Sequence, residues 1–190
     1  MARDHARILL SIWDDPDWLA LNSVQHDVYW AIASGRDLSY CGVAPLIPAR
    51  YQHIASDMNP RRFMSAVDVL EARRFVVTDR ATAEVLVRSY VRHDGILKLP
   101  NVTKAMVTAM KRVHSGLIQD AMTEELVRLY IENPTEKGWH GFADADPEGF
   151  AILKAKCSPK GSGKGSANSK ATPFPLSPTP SPLVSSEASS

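Results

Sequence analysis

Asn59-Pro60-Arg61-Arg62 puts two guanidinium groups directly after a helix-capping asparagine and a first-position proline. At such a helix start the free backbone N–H groups and the positive end of the dipole favour an anion, phosphate above all. An arginine fork also matches O6 and N7 of guanine in a DNA major groove. Two uses therefore stand open: Arg61 reads a base while Arg62 grips the backbone, or both bind phosphate. With Phe63 at the centre of the buried face, a 100° step per residue puts Arg61, Ser65, Asp68 and Ala72 opposite the core. Arg62, Val69 and Arg73 flank them. Asp68 on this face opposes dense contact with nucleic acid, unless it serves to hold a neighbouring arginine in place.

The charge distribution points the same way. The 190-residue chain has a formal net charge of only +1. Residues 61–112, however, hold eleven Lys and Arg against five Asp and Glu, while residues 1–60 and 113–156 are each net acidic. Within the basic block, Arg80 stands at a turn between two β-rich runs. Arg88 and Arg92 fall on one face of the second run with Tyr90 between them, which either extends the basic surface or is a wet sheet face. Lys98, Lys104, Lys111 and Arg112 continue the charge into the next segment. An evenly spread +1 would indicate no polyanion partner; a basic block does.

Catalytic readings find less support. His93-Asp94-Gly95 and His26-Asp27 invite comparison with histidine-aspartate metal sites, but those need ligands converging from several helices, and Asp94-Gly95 reads as a turn. Asp79 and Glu84 resemble a nuclease carboxylate pair, yet Leu86 stands where its lysine belongs. Gly161-Ser162-Gly163-Lys164-Gly165 has no strand before it and is not a phosphate loop. No enzyme, cofactor or metal is expected. Cys41 and Cys157 are isolated, so neither a disulfide framework nor a Cys-x-x-Cys metal site is expected. With no secretory signal and no apolar run near the ~20 residues of a membrane span, a cytoplasmic, reducing location is the expectation.

The elements that position these residues are mainly helical. Arg7 to Trp13 reads as a strand or extended lead-in. Pro16 opens a short helix after Asp14-Asp15, and Asn22 or Ser23 caps a helix whose Val24, Val28, Ala31 and Ile32 recur at helical spacing. Trp13, Trp18, Tyr29 and Trp30 fit a core around that helix. Leu38–Leu46, with Gly42 and Pro45, allows at most a short edge strand. Pro48 opens a helix with Ile47, Tyr51, Ile54, Ala55 and Met58 as its stripe. The helix beginning at Asn59 runs to about Arg74 on Phe63, Ala66, Val67 and Leu70. Phe75–Thr78 and Val85–Val91 read as a hairpin. Two further helices follow, from Leu99-Pro100-Asn101 and from Ser115-Gly116, the second stopped by Asn133-Pro134.

The expected fold is therefore mainly α with a small β-hairpin. A winged helix-turn-helix over 1–95 precedes a helical extension at 96–133, an irregular segment at 134–156, and a disordered tail at 157–190. In that tail 19 of 34 residues are Ser, Pro or Gly. Pro175-Leu176-Ser177-Pro178 within it either fits a proline-binding groove or is inert.

Arg7-Ile8 … Ile12-Trp13-Asp14-Asp15 … Trp18 … Leu21 and Gln25 … Val28-Tyr29 resemble the N-termini of winged-helix replication proteins of bacteriophages and prophages. Leu38-Ser39 … Gly42-Val43 … Pro45-Leu46 and Phe75-Val76-Val77 continue the likeness. Val87-Arg88-Ser89-Tyr90-Val91-Arg92-His93-Asp94-Gly95 … Lys98 … Pro100-Asn101-Val102 is similar to actinobacterial phage proteins of this kind. The resemblance spans about residues 7–130. It implies DNA binding at or near a phage replication origin, sometimes with helicase loading through a C-terminal helical domain. The expected partner is double-stranded DNA, with a replicative helicase or other replisome protein and a second copy of the chain as further candidates. Expected contacts are Arg61, Arg62, Ser65, Arg73, Arg80, Arg88 and Arg92. A transcriptional regulator and a protein-interaction module are the alternatives the same residues leave open.

Overall fold

Capping chemistry fixes most element boundaries in the computed structural model, which describes residues 6–157. Asp15 accepts the N–H groups of Asp17 and Trp18 and so starts α1 (Pro16–Leu19). Asn22 and Gln25 exchange hydrogen bonds in a capping box that opens α2 (Ser23–Ala33). Asn59 Oδ1 accepts the N–H of Arg62 at 3.0 Å at the start of α3 (Pro60–Ala72). A 3-10 helix at Pro48–Ile54 packs on α2 and α3. Phe63, Ala66, Val67 and Leu70 of α3 are buried, as the periodicity requires.

α3 ends in a Schellman arrangement. The Phe75 N–H reaches the Leu70 carbonyl and the Arg74 N–H reaches that of Glu71, with Arg74 in the left-handed region at φ 64°. The chain then enters β2 (Val76–Asp79), turns, and returns as β3 (Glu84–Val87). Asp79 Oδ1 accepts the N–H groups of Ala81 and Thr82, so the turn needs no Asn-Gly. β1 (Val43–Pro45) pairs with the other edge of β3, giving a three-stranded antiparallel sheet in the order β1-β3-β2. Pro45 sits on an edge strand, where its missing donor is tolerated.

After β3 the chain forms α4 (Tyr90–His93), a 3-10 turn at Ile96–Lys98, α5 (Pro100–Met110), α6 (Gly116–Glu132), α7 (Gly138–Ala145) and α8 (Pro147–Cys157). Glu84 of β3 accepts the N–H groups of His114 and Ser115 at 3.0 and 2.8 Å, clamping the start of α6 to the ribbon. α7 crosses the start of α5 closely. A Cβ on Gly138 would lie 2.3 Å from the Leu97 carbonyl oxygen, and one on Gly141 would lie 2.2 Å from that of Pro100. Tyr130, Trp139, Phe142 and Phe150 form an aromatic cluster joining α6, α7 and α8.

Four expectations are corrected. Leu10–Asp14 is a 3-10 helix, not a strand, and only the residues before it are free of helix. Trp13 is exposed rather than part of the core around α2. The second ribbon strand stops at Val87, the last residue paired with β2, and Tyr90–His93 is helical. The β-branched composition there is overruled because the pairing ends where the Arg88 N–H meets the Phe75 carbonyl at the end of α3, while Tyr90 and Val91 turn inward against the core. Residues 134–156, expected irregular, hold α7 and α8, so among the described residues five α-helices follow the ribbon where two were expected. The described residues fall within one compact unit, and the divisions expected near 95 and 133 lie inside it. The expectation of a disordered tail falls on residues 158–190, outside the described residues.

Candidate nucleic-acid interface

The two helix starts of α2 and α3 lie side by side, and Asn22, Val24, Gln25, Asn59, Arg61, Arg62, Ser65 and Ala66 line an open groove between them. Arg61 is exposed and has no ion-pair partner among the described residues. Arg62, half-buried, pairs with Asp57 in the turn before α3. Ser65 is exposed one helical turn further on.

The ribbon meets this helix. Arg80, in the β2–β3 turn, donates to Asp68 on the exposed face of α3. Arg73, at the C-terminal end of α3, pairs with Asp17 of α1 at 3.4 Å. Of the seven arginines and serines expected at an interface, the structure thus brings together Arg61, Arg62, Ser65, Arg73 and Arg80 on α3 and the ribbon tip beside it.

Arg88 and Arg92 go elsewhere. They do not share a strand face, because Arg92 belongs to α4. Arg92 donates to Glu125 at 2.8 Å and to Glu132 on α6. Against the penalty of burial, those hydrogen bonds to Glu132 and Glu125 hold its pKa above the ordinary value. Arg88 lines a small cavity with Cys41, Leu86, Met122, Glu125 and Leu126, where burial and then the nearby Arg128 lower its pKa. Arg92 thus ties α4 to α6.

Sequence reasoning missed the other wall of the groove, Asn22 and Gln25, although their capping-box spacing is readable. It also missed Arg74, exposed beside Arg73 and held at positive φ. The carboxylates Asp17 and Asp57, which occupy two of the arginines, carry no signal in the chain because their contacts depend on tertiary placement. Among the described residues no group of His, Cys, Asp and Glu is disposed to hold a metal, and no helix is long and apolar enough to cross a membrane. Compared with protein-family models, curated proteins and solved structures, the chain matches none.

Proposed function

We propose that residues 6–95 form a winged helix-turn-helix that binds double-stranded DNA, with α3 as the recognition helix and the β2–β3 turn as the wing. The order helix, strand, helix, helix, strand, strand with the sheet order β1-β3-β2 supports this reading. One observation carries it: Arg80 meets Asp68, so the ribbon tip and the exposed face of α3 lie on the same side. A duplex laid along α3 finds Arg61, Arg62 and Ser65 first and Arg80 beside them. The ion pairs at Arg62 and Arg80 are exposed and individually worth about 0–1 kcal/mol, so phosphates readily replace the carboxylates. The phage-replication resemblance makes an origin the expected target and a helicase an additional partner.

Anisotropy of labelled duplex DNA between about 50 and 200 mM salt tests the reading. Affinity is expected to fall steeply, with Arg61→Ala lowering the log–log slope by about 1 and Arg62→Ala, whose guanidinium already holds Asp57, lowering it by less. Absence of binding at low salt defeats it. Duplexes from a phage origin and from the protein's own promoter separate the replication role from a regulatory one. A protein-interaction module is the second reading. It is favoured by the pairing of Asp57, Asp68 and Asp17 with three of the arginines, and it predicts a co-purifying protein in place of DNA.

A further inference from the structure

The N-terminal segment presents apolar side chains that the protein does not cover. Ile8, Leu9, Leu10 and Trp13 are exposed, Leu10 at 80% and Trp13 at 55%, and Leu19 of α1 is exposed beside them in sequence. Leu10 and Trp13 are three residues apart in a 3-10 helix, a spacing that eclipses their side chains onto one face. Ile12 packs on the core, and Trp18 is fully buried. The segment is therefore anchored by its inward residues, and its outward ones form a fixed apolar surface. Five exposed apolar side chains within twelve residues of sequence are more than scattered surface exposure supplies.

The charges at the two ends of this segment identify what covers it. Arg7 stands before the apolar run and is exposed, with no ion-pair partner among the described residues. Asp14 and Asp15 stand after it. A second copy laid antiparallel across a two-fold axis sets each Arg7 against the other chain's Asp14 and Asp15, with the apolar residues of both copies between. Such an arrangement is self-complementary, as a two-fold interface must be. The surface adjoins α3 at its C-terminal end, away from the helix start that carries Arg61 and Arg62. Arg73 links Asp17 to the C-terminal end of α3, about 18 Å along the helix from Arg61.

We infer that the protein is a homodimer joined through Arg7–Leu19, antiparallel across a two-fold axis. The inference does not depend on DNA binding, and its test contains no DNA. Sedimentation equilibrium of the full chain is expected to show a monomer–dimer equilibrium with a dissociation constant of about 10 μM or tighter. Leu10→Glu, at a surface position, is expected to raise that constant about 30-fold or more while leaving the far-UV circular dichroism unchanged. Arg7→Glu weakens the dimer, and Arg7→Glu combined with Asp14→Arg, which spares the α1 cap at Asp15, restores it. A full chain that stays monomeric at about 100 μM overturns the inference, whether another segment of the chain or a different protein covers the patch. A dimer indifferent to Leu10→Glu overturns it too. Failure of the double variant to recover what Arg7→Glu loses overturns the antiparallel arrangement.

Discussion

Arg74 holds a left-handed backbone conformation that a side chain with a Cβ adopts at a cost of about 1–2 kcal/mol. Its place as the C′ residue of the α3 Schellman turn is where glycine is usual. Arg74→Gly is therefore expected to raise stability by about 1 kcal/mol, read from urea unfolding, and to weaken DNA affinity if the guanidinium touches the backbone of a duplex. The contrast between gained stability and lost binding is the signature of a residue kept for its charge. Asp68 gives the opposite test. Asp68→Asn removes the charge that holds Arg80, the one anion on the outward face of α3, and leaves only an amide oxygen as acceptor. Duplex affinity is expected to rise several-fold at low salt, measured by anisotropy, with little change in stability because the pair is exposed.

At the scale of elements, the ribbon is fastened on two sides, to α3 through Arg80 and to the start of α6 through Glu84. Asp79 and Glu84 face each other across the strands, a like-charge pairing that the donors around Ser115 compensate. The Ser115 hydroxyl, followed by the backbone of Ala81 and Thr82, holds the Asp79 carboxyl below its ordinary pKa. Burial, and then Arg92, push the His93 imidazole below its own. Both groups bind more protons when unfolded, so stability rises with pH across each window. His93 therefore contributes a loss that begins as pH falls through about 6.5, and Asp79 a second loss that begins below about 3.9. Urea midpoints against pH check this: His93→Gln is expected to flatten the upper limb and Asp79→Asn the lower.

Much of this level was legible in the sequence. Asn59-Pro60 and the stripe Phe63, Ala66, Val67, Leu70 define α3 without any tertiary information. Asp146-Pro147 repeats the same capping signature, with Asp146 Oδ1 accepting the Gly149 N–H, yet the segment shows no period. The reason is physical. Gly138 and Gly141 are where a helix former would be expected, because α7 approaches the backbone of Leu97 and Pro100 too closely for a side chain. Gly138→Ala is accordingly expected to cost about 1–3 kcal/mol, although alanine is the better helix former. The run Val85–Val91 misleads for the converse reason, since β propensity cannot supply a partner strand. At the candidate interface the arginines of α3 were legible from spacing, whereas their carboxylate partners were not.

At the scale of the whole molecule, the proposed DNA side, the C-terminal helices and the N-terminal apolar segment occupy different parts of one unit. Arg92, Glu125 and Glu132 join α4 to α6, and Glu84 joins the start of α6 to β3, so the C-terminal helices are held by polar contacts as well as by packing. The arginines of the proposed contact face are likewise already engaged: Arg62, Arg73 and Arg80 each hold an aspartate. When a polyanion takes such an arginine, the released aspartate attracts cations from solution just as the nucleic acid sheds its own. The two movements of small ions partly cancel. A titration against salt will therefore count fewer phosphates than the protein touches, and neutralising the aspartates should bring the count back up.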